Sequence, residues 1–175
     1  ASLGCLSESP PAEMGYRPNQ LARALVLGRS KLVGVVVASR YIQAFQVVFD
    51  PIHSSLDEAG YLMALYATAD SPESESRTLE QMITDRVAGA IIHPSHHNAP
   101  PEAYQALVDS GTKVVIANGY LEGLRVTQIL SDNYQSFRAS TQYLISLGHR
   151  RIAYLASPQT SHVGRERVRG FQDAL

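Results

Sequence analysis

The chain is poor in the residues on which several kinds of protein depend. Cys5 is its only cysteine, which excludes an internal disulfide and a cysteine-based zinc site. A lone thiol fits a reducing cytoplasm. No apolar run approaches the roughly 20 residues that a membrane span needs. There is no glycine-rich phosphate loop and no Gly-x-Ser-x-Gly nucleophile elbow. Acids such as Asp57 and Glu58 fall on an amphipathic helical stretch and read as solvated. No enzyme constellation emerges, no cofactor is implied, and the expectation is a non-enzyme. Repeats and low-complexity blocks are absent as well.

Charged residues make up only 18% of the 175, with a net charge of −1, but they are unevenly placed. Residues 1–31 hold four cations and two acids, whereas the remainder holds eleven cations and fourteen acids. Between Arg17 and Lys31 there are four cations and no acid. Pro18 and Asn19 suit a helix start there, and Gly28 suits its end. Leu21, Ala22 and Leu25 give that helix one narrow apolar face. A helix of about ten residues is marginal alone in water, so something else must order it. The charge points to a polyanion; taken alone, a patch of this size is more often a solvated helix or linker.

The apolar share of 45% is ordinary for a globular protein, and the length allows one sizeable core or two small ones. Leu32–Ala38 is a continuous valine-rich run, as expected of a strand buried on both faces of a parallel sheet. Strands are predicted again over Leu62–Tyr66, Ala88–Ile92, Lys113–Ala117, Val126–Leu130 and Arg151–Ala156. Helices are predicted over Phe45–Ala59, Pro72–Thr84, Pro101–Ser110 and Tyr134–Leu147, with a last one opening at Gly164. Ser71 is the expected cap of the second, and Gly148 the stop of the fourth. Short connections and regular β-α-β alternation predict an α/β fold: an open parallel sheet with helices on both faces.

GYRPNQLARAL (15–25) followed by GRSKLVGVVVAS (28–39) resembles the hinge helix and first core strand of the LacI/GalR family of bacterial repressors. DEAGY (57–61), DRVAGAII (85–92), SDN (131–133), LGHRRIAYL (147–155) and RERVRGF (165–171) extend the resemblance over residues 14–175. The family implies a periplasmic-binding-protein-like sensor core of two lobes behind a DNA-reading head. On that pattern residues 1–15 are an irregular remnant of the head and 16–31 the hinge helix and linker. Residues 32–131 are then the first lobe of the effector-binding core, and 132–175 the start of an incomplete second lobe. Residues 1–13 carry no helical or strand period and do not resemble the head's last helix. The expectation is a chain that starts late, or whose first dozen residues are out of frame.

The resemblance also implies roles. Leu25 takes the place of a leucine that wedges into the minor groove, with Asn19, Ala22 and Arg23 along groove and backbone. Ser39 and Arg40 follow the first strand, at the end where parallel sheets bind ligands. Phe45 matches an aromatic that stacks on the effector, Asn118 a polar contact, and Arg167 an arginine that bonds ligand oxygens. Ser161 and Val163 fall where other members contact ligand, although valine cannot hydrogen-bond. Taken singly, packing or solvation accounts for each of these residues equally well. Asp132 and Asn133 read as interlobe residues or a helix cap. His93, His96 and His97 read as solvated loop histidines, because HPSHH has no carboxylate or thiolate beside it. His149 lies just past a helix-ending glycine.

The resulting expectation is a cytoplasmic, ligand-responsive repressor. Its partners are operator DNA when the head is present, a small-molecule effector of which sugars are the commonest class, and a second copy in a homodimer. No membrane is involved. An exported sugar-binding protein of a transporter is the main rival reading; an enzyme on a doubly wound sheet is the other.

Overall fold

The computed structural model describes residues 30–69, 71–94, 101–156 and 161–175. Residues 31–175 form one compact unit. Five parallel strands make a single sheet: β1 (Leu32–Ala38), β2 (Leu62–Thr68), β3 (Gly89–Ile92), β4 (Lys113–Ala117) and β5 (Thr127–Ile129). Their spatial order is β2-β1-β3-β4-β5. Val35 of β1 lies opposite Leu65 on one side and Ile91 on the other. The helices are α1 (Ile42–Glu58), α2 (Pro72–Thr84), α3 (Pro101–Asp109), α4 (Asn133–Ser146) and α5 (His162–Gln172).

The valine run of β1 lies in the middle of the sheet, and Val33 to Ala38 are all buried. Successive side chains of a strand alternate between faces. Val36 joins Leu79 and Met82 of α2, Tyr104 and Leu107 of α3, and Ile92 and Ile116 in the main core. Val35 and Val37, fully buried, therefore face the opposite side. The helix α1 presents its half-buried residues Ile42, Phe45, Phe49, Ile52 and Leu56 at helical spacing. Outside that seam Val47 is 82% exposed.

Local sequence sets most of the boundaries. The Ser71 hydroxyl accepts the Ser74 N–H at 3.1 Å, capping α2, and Pro72 occupies its first turn. The Asp132 carboxylate does the same for α4 through Gln135 N–H, at 2.9 Å. That helix stops where Gly148 turns to a φ of 89°. There Gly148 and His149 donate their backbone N–H groups to the carbonyls of Ile145 and Leu144. The Tyr66 hydroxyl on β2 donates to Asp85 just after α2, at 2.7 Å, and burial followed by that carboxylate pushes its pKa well above the ordinary tyrosine value.

Two elements depart from the sequence reading. The helix α1 begins at Ile42, not Phe45, because the 3-10 turn Ser39–Tyr41 runs straight into it. It also continues through Pro51. Proline removes a bond to the carbonyl of Val47, which lies on the wet side of the helix, where water can meet the freed oxygen. The second departure is Arg151–Ala156, expected as a strand, which joins no ladder among the described residues. Its alternation survives without one: Tyr154 turns inward, its ring 5.0 Å from Phe137 of α4 and 5.4 Å from Phe171 of α5. Leu155 points away and is 98% exposed.

The helices α4 and α5 pack on each other closely enough that a Cβ at Gly170 would run into the backbone of Tyr134 and Arg138. Gly170→Ala must therefore push the helices apart, and is expected to cost about 1–3 kcal/mol in urea unfolding. In the sheet core, Leu107→Ala is expected to cost about 2–5 kcal/mol. A loss below half a kcal/mol at either position would contradict the packing described.

Candidate effector site

The strand order reverses at β1: the chain passes from β1 to β2 on one side, then returns across to β3 on the other. Open α/β sheets bind ligands outside the carboxyl ends of their strands at such a switch point. Ser39 and Arg40 follow β1 directly and are exposed. The Ser39 hydroxyl donates to the carbonyl of Thr68 at the end of β2, at 3.1 Å. The guanidinium of Arg40 lies 4.6 Å from the centre of the Tyr41 ring.

Phe45 sits half-buried on the first turn of α1, with Phe49 one turn further on at 6.1 Å. His93, which follows β3, meets Phe45 edge to face, centroids 4.8 Å apart at 75°. The same imidazole meets Tyr41 at 5.1 Å and 64°. Two rings from the turn and helix that follow β1 and one from the residue that follows β3 thus pack together at the switch point. His93 is 8% exposed, which corrects its reading as a solvated loop histidine. The HPSHH composition suggested solvation, but the burial comes from Tyr41 and Phe45, some fifty residues away. His96 and His97 lie outside the described residues. Among the described residues there is no cluster of three metal-ligating side chains.

Asn118 follows β4 at the same end of the sheet. Its φ of 53° is a conformation that asparagine tolerates better than most residues, and its N–H donates to Ile129 at 2.8 Å. This turns the chain sharply as it leaves the strand.

The remaining expected contacts come from α4 and α5. The Ser161 hydroxyl accepts the Gly164 N–H at 2.8 Å, so it caps α5, and the residue is buried beside Val163. Arg167 donates through Nε to the side-chain oxygen of Asn133 at 2.8 Å. Its guanidinium lies 5.5 Å from the Phe137 ring. Asn133 is itself buried and donates to the carbonyl of Ser131 at 2.9 Å. Asp132 is the helix cap, one of its two expected readings. The hinge residues Asn19, Ala22, Arg23 and Leu25 lie outside the described residues.

A five-stranded parallel sheet in the order β2-β1-β3-β4-β5, with helices packed on it, is an α/β fold of the periplasmic-binding-protein type. The family profile described as "Periplasmic binding proteins and sugar binding domain of LacI family" matches residues 30–175. The HTH-type transcriptional regulator CelR of Thermobifida fusca is 33% identical over 171 residues, covering 93% of this chain and 49% of that protein. GalR of Salmonella typhimurium is 26% identical over 162 residues, covering 93% and 47%. Among solved structures, a CelR–cellobiose complex superposes with a TM-score of 0.73 at 28% identity, covering 94% of this chain and 49% of that one. The regulator CcpA of Lactococcus lactis gives 0.68 at 27%, covering 84% and 54%. The chain belongs to the LacI family of transcriptional regulators, and it spans about half the length of the relatives it matches.

The Arg167–Asn133 bond can be tested directly. Arg167→Ala leaves a buried amide oxygen without its charged donor and is expected to cost about 1–3 kcal/mol in urea unfolding. Arg167→Lys should recover less than half of that, since an ammonium cannot present the same planar fork. Full recovery by lysine would contradict the geometry.

Proposed function

We propose that this chain is the effector-sensing part of a repressor, binding a small sugar in the crevice at the carboxyl ends of β1 and β3. The observation that carries the reading is the ring wall of Phe45, Tyr41 and His93 at the switch point. Aromatic faces suit the C–H faces of a sugar ring, while hydroxyls need forked or charged donors. Arg40 and Ser39 stand on one side of the crevice. Arg167, whose terminal amino groups are left over by the bond through Nε, stands on the helix pair. Asn118 adds a further polar contact. Core residues 32–131 form one lobe in this reading, and 132–175 belong to the second.

Control follows by linkage. Effector bound between the lobes favours one arrangement of the core, and a two-fold dimer transmits that arrangement to a pair of hinge helices. Asn19, Ala22, Arg23 and Leu25 would follow the minor groove there, with Leu25 inserted between base pairs. The coupling is reciprocal: DNA must change effector affinity by the factor with which effector changes DNA affinity. The named relatives are transcriptional regulators, which favours this reading over an exported transporter component.

Calorimetric titration with a panel of mono- and disaccharides that includes cellobiose, the sugar in the related complex, tests the sensor. One member is expected to bind, and Phe45→Ala should weaken it at least tenfold in a variant that still unfolds cooperatively. Equal affinity in the variant would overturn the site. In the full regulator, Leu25→Ala is expected to weaken operator binding more than binding to random DNA, measured by fluorescence anisotropy. Equal losses would remove Leu25 from the groove.

A further inference from the structure

Tyr120 is held in place from both sides although its own ring lies outside the core. Gly119 lies flat on Pro94: a Cβ there would sit 2.8 Å from both Cγ and Cδ of the proline ring. Leu121 is buried. Its N–H donates to the Gln128 side chain at 2.8 Å, and its carbonyl accepts from the same amide at 3.1 Å. The turn is thus built by its neighbours and does not require an aromatic at 120, where the side chain stays 41% exposed. His162 is presented just as firmly, as the first residue of α5 behind the Ser161 cap. The two rings meet with centroids 5.1 Å apart, tilted by 42°. Tyr120 leaves β4 of the sheet and His162 opens the last helix, so the contact joins the two parts of the chain on either side of residue 131.

We propose that Tyr120 and His162 form a latch between the two lobes, a pair of positioning residues that hold the crevice together without touching the effector. The inference rests on the two-lobe sensor reading. Exposed rings held by rigid backbones lose little entropy on meeting, so the pair acts on the balance between open and closed arrangements. Aromatic pairs of this kind shift such a balance by about two- to tenfold. Effector affinity falls in proportion to the closed fraction.

The test needs no effector, so it fails separately from the sugar reading. In the full chain with Cys5→Ser, nitroxide labels are placed at Gln105→Cys on α3 and Gln172→Cys on α5, both exposed. Double electron–electron resonance then reads the distance between the lobes. His162→Ala and Tyr120→Ala should each shift the distribution to longer distances, and the double variant should add nothing further. Tyr120→Phe and His162→Phe, which keep a ring, should match the parent. Tyr120→Leu keeps apolar bulk without the ring face and should behave as alanine does, which provides a readout even if an alanine variant unfolds. A parental distribution in the alanine or leucine variants would overturn the latch. So would additive shifts in the double variant.

Discussion

Strand β1 hydrogen-bonds to β2 on one side and to β3 on the other, and the rest of the site depends on that central position. A strand with neighbours on both edges and helices over both faces has no solvent-facing side, so it must be apolar throughout. Because the chain leaves β1 toward one edge and returns past it to the other, β1 is the switch point of the sheet. Tyr41 and Phe45, shortly after β1, meet His93, directly after β3, ring to ring at that point. Buried β1 thus sets where these residues leave the sheet, and the ring contacts set how they meet.

Much of this arrangement was legible in the residues. The valine run, the Ser71 and Asp132 caps and the glycine stop at 148 are local signals, and local signals fix element boundaries. The parallel order followed from alternation and short connections. What could not be read locally was partnership. His93 sits in a stretch whose composition is that of a wet loop, and only the fold brings Phe45 to it. The Ser161 hydroxyl accepts the N–H three residues on, a cap that local sequence alone does not announce. Arg151–Ala156 has strand composition, but a ladder needs a second strand beside it. In its place Tyr154 is held between Phe137 and Phe171.

The family resemblance and the physical reading contribute different things. Resemblance placed Phe45, Asn118 and Arg167 on a list of contacts without saying what else they do. The structure gives Arg167 a structural partner in Asn133, so the same guanidinium that would meet an effector also ties α5 to the start of α4. It leaves apolar surface outside the core as well: Val47 on α1, and Leu62 and Leu65 on β2, are exposed.

A small molecule sensed at the carboxyl ends of β1 and β3, as proposed, must perturb the backbone there. Amide chemical shifts recorded while saccharides are added test it most directly, because they locate binding without assuming any contact. The sugar that binds is expected to move the amides of Ser39, Phe45, His93 and Asn118 together. Shifts confined to the opposite end of the sheet, around Lys113 and Arg125, would contradict it.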